Sequence, residues 1–398
     1  MKLKKIAALL AIAGLSTSAF ATNGYFSHGY GLKAKGMAGV GIALPQDALA
    51  AATNPAGITE IGDRADIGLD IFMPRRGAEI PGFASFDGNG SKNFLVPDFG
   101  YNKKMGWDMA VGIAVYGNGG MNTKYNVNPG FGPGTAGVDL TQLFIAPTFA
   151  MKLNKNHSLG VSLVYAYQQF GASGLHGFAG MTTSGTTNFL TNQGHDKSDG
   201  WGLRLGWTGK ISDTVTLGAT YASRIKMDAF SKYRELFAEG GDFDIPENYG
   251  LGIAFKVTPQ LTVAADIQQI NYGSVKSIAN TMAGATGPLG SSGGPGFGWR
   301  DMTIYKFGAS YEYSKDLTLR AGFSTTKQPI PSTETQFNVL APGVIEDHLT
   351  LGATWTLANK HELTVGYMHA FEKKVVGVPF TIKMYQDSLG ISYGIKLD

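Results

Sequence analysis

From residue 63 onward the chain alternates. In "TVTLGATYASR" Val215, Leu217, Ala219 and Tyr221 share one parity, while Thr216, Gly218, Thr220 and Arg224 share the other. The same two-residue period runs through "WGLRLGW", where Trp201, Leu203, Leu205 and Trp207 oppose Gly202, Arg204 and Gly206. In "LTLRAGF" Leu317, Leu319, Ala321 and Phe323 oppose Thr318, Arg320 and Gly322. Successive side chains of a strand point to opposite faces, so each segment predicts a β-strand with one apolar face.

Two kinds of connection take turns between these segments. "NKKMGWD" (102–108), "LNKNHS" (153–158), "KISDTV" (210–215), "KVTPQL" (256–261), "YSKDLT" (313–318) and "LANKHE" (357–362) are short polar turns. Between them lie longer stretches near 76–93, 118–139, 172–199, 227–245, 272–300, 327–346 and 373–380, mostly rich in Gly, Ser, Thr, Asn and Pro. Short turns on one side and long loops on the other predict a transmembrane antiparallel β-barrel of about fourteen strands. The fold class is therefore all-β, with lipid on the apolar face and the arginines looking inward. A soluble sandwich or secreted solenoid would not account for a polar face that is half glycine, nor for seven long loops on one side.

Residues 22–62 do not alternate. "AKGMAGVGIALPQDALAAATNPAGI" has the small-residue content of a packed segment, and Asp47 opens a short helix, "DALAAA", expected to stop at Asn54-Pro55. About forty residues are too few to fold alone. The expected arrangement is a plug of short helices, 22–62, inside a barrel formed by 63–398. Before it, "MKLKKIAALLAIAGLSTSAFA" carries lysines, a short apolar run and the Ala19-Phe20-Ala21 cleavage pattern, so residues 1–21 are expected to be a signal peptide.

Composition narrows the function classes. The formal charge of +3 vanishes once Lys2, Lys4 and Lys5 leave with the signal, because 33 basic residues then become 30 against 30 acidic ones. That removes the electrostatic case for a nucleic-acid partner. Cysteine is absent, which excludes disulfides and thiol chemistry. The mature chain has no apolar run long enough for a membrane helix. Its 56 glycines, 23 phenylalanines and 17 tyrosines suit an outer-membrane barrel. The seven histidines, at 28, 157, 176, 195, 348, 361 and 369, form no catalytic or metal-ligand spacing, so neither an enzyme nor a cofactor is expected.

"NPAG", Asn54, Pro55, Ala56 and Gly57, following a Gly/Ala-rich N-terminal segment, resembles the hatch signature of the FadL/TodX family of outer-membrane transporters for long-chain fatty acids and aromatic hydrocarbons. "NTKYN", the stretch 243–275 and the stretch 319–355 are similar to the same family's patterns, and the resemblance covers the whole mature chain. It implies a fourteen-stranded barrel blocked by a hatch, capture of a hydrophobic ligand at external loops, an internal tighter site and sideways release through the wall. It implies residence in the outer membrane of a Gram-negative bacterium, and a monomer inserted by the barrel assembly machinery is expected. Two features depart from the family: the chain ends "GISYGIKLD" at Asp398 where an aromatic residue is usual, and it carries extra residues between Tyr116 and Thr123.

Within that frame NPAG fastens plug to strand. Asn54 can bond the backbone groups that a helix end leaves unpaired, Pro55 stops the helix, and Ala56 and Gly57 permit close approach to the wall. Arg204, Lys306 and Arg320, inward and within strands, are candidates to receive a ligand carboxylate, with Arg224 nearer the external rim. Pairing with internal acids such as Asp266 or Glu312 is the competing role for each. Gly112 and Gly117 are candidates for a bulge that opens the wall. Phe178, Phe230, Tyr233 and Phe237, together with Phe131, are candidates for an external hydrophobic groove, against self-packing of the loops. A general porin for small hydrophilic solutes is the alternative function, and it requires an open lumen.

Overall fold

The computed structural model describes residues 22–397; the expected signal peptide, 1–21, lies outside the described residues. The strands are β1 (Arg64–Ile80), β2 (Ala84–Asp87), β3 (Phe94–Met105), β4 (Met109–Asn122), β5 (Gly137–Lys152), β6 (His157–Ser173), β7 (Asp196–Lys210) and β8 (Val215–Ala222). They continue as β9 (Lys226–Met227), β10 (Asn248–Lys256), β11 (Leu261–Ile270), β12 (Met302–Ser314), β13 (Leu317–Thr326), β14 (Asp347–Thr356), β15 (Glu362–Val375) and β16 (Thr381–Lys396). Apart from the short β2 and β9, each pairs antiparallel with its neighbours, and β1 closes on β16 from Arg64↔Lys396 to Glu79↔Thr381. The result is a closed fourteen-stranded antiparallel barrel. Closure leaves no free sheet edge, the condition for a β-structure in lipid.

Each short turn lies where the alternation breaks. At 106–108, Trp107 and Asp108 adopt φ of 68° and 57°, the left-handed geometry that lets a tight hairpin follow the strand twist. Parity holds along the walls: Leu203 and Leu205 are each 49% exposed while Arg204 between them is 4% exposed. Likewise Leu319 and Phe323 face out and Arg320 faces in. An exterior of leucine, isoleucine, phenylalanine and tyrosine around a buried polar interior is the inverse of a water-soluble protein.

Residues 22–62 occupy the space that the strands enclose. Their short helical turns, Leu32–Lys35, Ala48–Ala52 and Pro55–Thr59, are buried throughout. Inward glycines of the wall make room for them. A β-carbon at Gly160 would stand 2.4 Å from the Ala56 nitrogen, and one at Gly322 would stand 2.3 Å from the Met37 carbonyl carbon, closer than any side chain tolerates. Gly100 against Ala48 and Gly218 against Ile42 repeat the device on other strands. The glycine-rich polar parity thus has a packing cause: backbone meets backbone.

Above this segment the long loops fold inward. Phe131, Phe170, Phe178, Phe237, Phe243, Tyr272, Phe297, Trp299 and Phe337 form one buried aromatic core across the upper lumen.

Candidate functional site

Asn54 makes three side-chain hydrogen bonds. Its Oδ1 accepts from the Ala56 N–H at 3.1 Å, capping the turn Pro55–Thr59, and its Nδ2 donates to the Ile42 carbonyl at 2.7 Å and the Trp207 carbonyl of β7 at 2.9 Å. One amide therefore joins two parts of the N-terminal segment to the wall. Pro55 does not stop the preceding turn, which ends at Ala52. It opens the next one, because its fixed φ and missing N–H suit a first helical position. The close approach expected of Ala56 and Gly57 comes from the other partner, since Gly160 and Gly206 are the wall residues that leave room, whereas Gly57 packs on Pro45.

The four candidate cations separate into two kinds. Arg204 donates from Nη1 to the Thr53 carbonyl at 3.3 Å, and its buried Nε has no hydrogen-bond partner. Lys306 donates to the His28 carbonyl at 3.0 Å and sits opposite Asp266 in the ladder. Asp266 itself accepts from the N–H groups of Gly41 and Ile42 at 2.8 and 3.1 Å. Arg204 and Lys306 line one cavity of about 20 Å³ with Ser27, Tyr30, Thr220 and Gln268. That is room for about one water. Arg320 is outside it, held by Gln46 and Thr354 at 2.7 Å each, and Arg224 is tied to Asp244 and the Ser274 carbonyl at 2.7 Å each. Glu312, the other acid considered, is exposed on β12. Carbonyls of the N-terminal segment, rather than internal acids, take the hydrogen bonds of Arg204 and Lys306.

Sequence reasoning missed the ion pairs that anchor this segment to the seam of the barrel. Lys33 meets Glu362 at 2.5 Å, Lys35 meets Asp70 at 2.7 Å, and Arg64 bridges Asp66 and Glu362 at 2.7 Å each. Burial, followed by the charge of Arg64, pulls the Lys33 ammonium below its ordinary range despite Glu362. Burial, followed by Asp66, pushes the Asp47 carboxyl up to about 6. The lysines at 33 and 35 were a visible signal, being rare charges in a Gly/Ala run.

The wall is interrupted between β3 and β4. Their pairing runs from Met105↔Met109 only to Phe99↔Val115, although β3 continues against β1 up to Phe94 and β4 against β5 up to Asn122. The register of β4 slips between Gly117 and Gly119, which places Gly117 at a bulge, whereas Gly112 sits in regular pairing with Asn102 and Thr148. On the unpaired stretch of β4 the N-terminal segment takes over: Gly120 N–H donates to the Tyr25 carbonyl at 3.0 Å, and Ser27 N–H to the Asn118 carbonyl at 2.9 Å.

Of the groove candidates, Phe178, Phe230 and Phe237 line no open groove, while Tyr233 borders a cleft. All are buried, with Phe237 centred 4.6 Å from Phe170 and 4.8 Å from Phe243, and Phe178 5.1 Å from Phe337. Edge-on aromatic contacts give more than their burial alone, so the loops pack on themselves. A cleft of about 430 Å³ opens instead beside Tyr233, with Asn122, Asp139, Asn192 and His195 in its walls and His195 2.9 Å from Asp139.

A family profile described as "Outer membrane protein transport protein (OMPP1/FadL/TodX)" matches residues 10–379. No curated protein sequence matches the chain. Among solved structures, a Pseudomonas aeruginosa FadL homologue superimposes with a TM-score of 0.72 at 15% identity, covering 94% of this chain and 100% of its own. The Pseudomonas putida toluene transporter TodX gives 0.69 at 18% identity, covering 93% and 98%. The Ralstonia pickettii toluene transporter TbuX gives 0.66 at 19%, covering 93% and 99%.

Proposed function

Because this chain belongs to the FadL/TodX family of outer-membrane transport proteins, we propose that it carries hydrophobic small molecules, long-chain fatty acids or related hydrocarbons, passively across the outer membrane. Cargo is captured among the external loops, held at an internal site and released sideways between β3 and β4 once residues 22–62, the hatch, shift. The observation that carries this reading is the interrupted ladder. Breaks between the other long strands are shorter, as at Ala146–Pro147 between β5 and β6 and at the slip between Ala370 and Lys373 of β15, and inward glycines elsewhere bring hatch and wall into backbone contact. A sideways exit into lipid costs an apolar cargo nothing in hydration, whereas a downward route would expose it to water.

Energetics suit diffusion without an energy source. Each buried methylene stabilises by about 0.8 kcal/mol, so a long acyl chain gains on the order of 10 kcal/mol before ordering costs. The aromatic core of the loops is the capture surface in this reading, opening as Phe178, Phe230, Tyr233 and Phe237 part. Arg204 and Lys306 receive the head group of an acid, since they share a cavity; Arg320 and Arg224 are committed to other partners. The solved relatives named as toluene transporters support an uncharged aromatic cargo as the second possibility within this class. A porin for hydrophilic solutes is disfavoured by the filling of the lumen: the cavities of about 20 and 10 Å³ that separate hatch from wall beside Arg204 and beside Asp70 are too small for a sugar.

The absence of native cysteine makes a direct test available. Pro97→Cys with Gly117→Cys, positions that continue the β3–β4 register past Phe99↔Val115, are bridged by a short cleavable dimaleimide. Bridging is expected to abolish uptake of labelled laurate or toluene into proteoliposomes, and cleavage to restore it. Uptake indifferent to the bridge would exclude the sideways route.

A further inference from the structure

Outside the lumen, the external end of the wall carries a polar cleft. There β4, β5 and β6 set Asn122 opposite Asp139 and Asp139 opposite Gly171, in one row across three strands. Met121, Leu140 and Phe170, each next to a member of this row, are buried in the aromatic core, so the row itself faces away from the lumen. The connection from β6 to β7 folds back beside it and, with Lys124 and Ser173 at the rim, bounds the cleft of about 430 Å³.

Part of this cleft is fixed and part is free. Asp139 accepts from Asn122 Nδ2 at 3.1 Å through one oxygen and meets His195 Nε2 at 2.9 Å through the other. The half-exposed His195 ring lies over Gly171, where a β-carbon would stand 3.3, 3.4 and 3.6 Å from three of its atoms. Behind it the Tyr233 hydroxyl donates to the Gly194 carbonyl at 2.6 Å and accepts from the Ala172 N–H at 3.0 Å, which ties the His195 loop to β6. Lys232 Nζ donates to the His195 carbonyl at 2.8 Å and holds the loop from its other side. By contrast, the side chains of Ser91, Lys124, Thr135 and Ser173 make no hydrogen bond among the described residues.

We propose that this cleft binds the saccharide head group of a lipopolysaccharide in the surrounding outer leaflet. Its chemistry selects a neutral, hydroxyl-rich ligand: three free hydroxyls both donate and accept, a pre-oriented carboxylate accepts, and one ammonium donates. A simple anion would gain Lys124 but face Asp139, and an apolar molecule would strand every one of these groups. The imidazole of His195, backed by Gly171, offers a flat platform for the C–H face of a sugar ring. Position selects the membrane as the source. Tyr165 and Tyr167 are outward on β6, and Tyr165 is 4.9 Å from the exposed Trp201, an aromatic girdle of the kind that marks the edge of the bilayer. Gly171 lies four residues beyond Tyr167, about 13 Å along a strand, at the level of head-group sugars rather than acyl chains. The site lies across the wall from the aromatic core and does not depend on the route of the cargo.

The test is calorimetry of the full chain in detergent with three probes: complete lipopolysaccharide, lipid A alone, and the core oligosaccharide cleaved from its lipid. Complete lipopolysaccharide is expected to bind about tenfold or more tighter than lipid A, the difference that one or two hydrogen bonds supply, and the free oligosaccharide to compete with it weakly. Gly171→Leu pushes a side chain into the cleft against the exposed His195 ring, and it is expected to reduce binding of complete lipopolysaccharide to the level of lipid A. Heat-modifiable gel migration checks that the barrel is closed. Lys124→Ala with Ser173→Val, which removes two free groups at the rim, is expected to act in the same direction and serves if Gly171→Leu does not fold. Equal binding of complete lipopolysaccharide and lipid A, or binding unchanged in a folded variant, overturns the inference. Free oligosaccharide bound as tightly as complete lipopolysaccharide overturns the membrane source and assigns the cleft to a soluble saccharide.

Discussion

Replacing Asn54 by alanine removes three hydrogen bonds at once and little volume. Oδ1 no longer accepts from Ala56, and Nδ2 no longer reaches the carbonyls of Ile42 and Trp207. A hydrogen bond contributes roughly 1 kcal/mol net, so the seated state of the hatch should weaken by about 3 kcal/mol, or about 10²-fold in the balance between seated and released forms. Because these partners lie within the N-terminal segment and on β7, the closed barrel should be unaffected. Liposome swelling with a small sugar, or conductance in a planar bilayer, reads the released population directly. Asn54→Ala is expected to raise the leak by about 10²-fold while the thermal midpoint of the barrel is unchanged. Asn54→Asp keeps the cap on Ala56 but turns an anion toward two carbonyls, so it should leak at least as much. If both variants leak no more than the parent, Asn54 is an ordinary turn residue and the fastening role is wrong.

Three other expectations follow from the same contacts. Deleting residues 22–50 should raise conductance to small hydrophilic solutes, and an unchanged conductance would show that this segment does not block the lumen. Arg204→Ala and Lys306→Ala should each weaken binding of a fatty acid, measured by calorimetry in detergent, whereas Arg320→Ala should not, because Gln46 and Thr354 already hold that guanidinium; equal losses at all three would remove the assignment. Acidification should loosen the hatch. Burial, then His348, Lys35 and Lys306, hold the His28 imidazole well below its ordinary 6.5. Burial would raise the Glu60 carboxyl, but Lys152 and Lys210 at 3.0 and 3.2 Å outweigh it and hold it below its ordinary 4.5. In both cases the released form binds the proton more readily, so the stabilisation is present at neutral pH and is lost as pH falls, first below 6.5 and then below 4.5. A sugar leak measured from pH 8 to pH 6 should rise, and a flat or falling profile there contradicts the assignment; below pH 6 the Asp47 carboxyl, pushed up to about 6 in the seated hatch, takes up a proton and opposes the loss.

Much of the architecture is legible in the chain because its signals are local. A period of two sets which face a side chain takes, and Asn, Asp, Pro and Gly mark where the chain turns. Hence Arg204, Lys306 and Arg320 could be placed inward and the alternating turns and loops counted. Gly117 could be singled out in the third long strand, but so could Gly112, and only the register of β4 against β5 separates the glycine beside the bulge from the regular one. The loop aromatics were visible as a set; that they pack on one another depends on loops from distant parts of the chain meeting over the mouth.

The amino-acid order alone therefore determined an inside-out barrel, its strand number, the small-residue segment ahead of it and the inward parity of its cations. Only the tertiary structure decided what those inward groups touch: that Lys306 meets a carbonyl of His28, that Gly160 and Gly206 rather than Gly57 grant close approach, and that Gln142 bonds Gln168. The physical reason is reach. Which face a residue occupies is set within two positions of it, but its neighbour across a barrel is set by register and closure, which no short stretch of chain encodes.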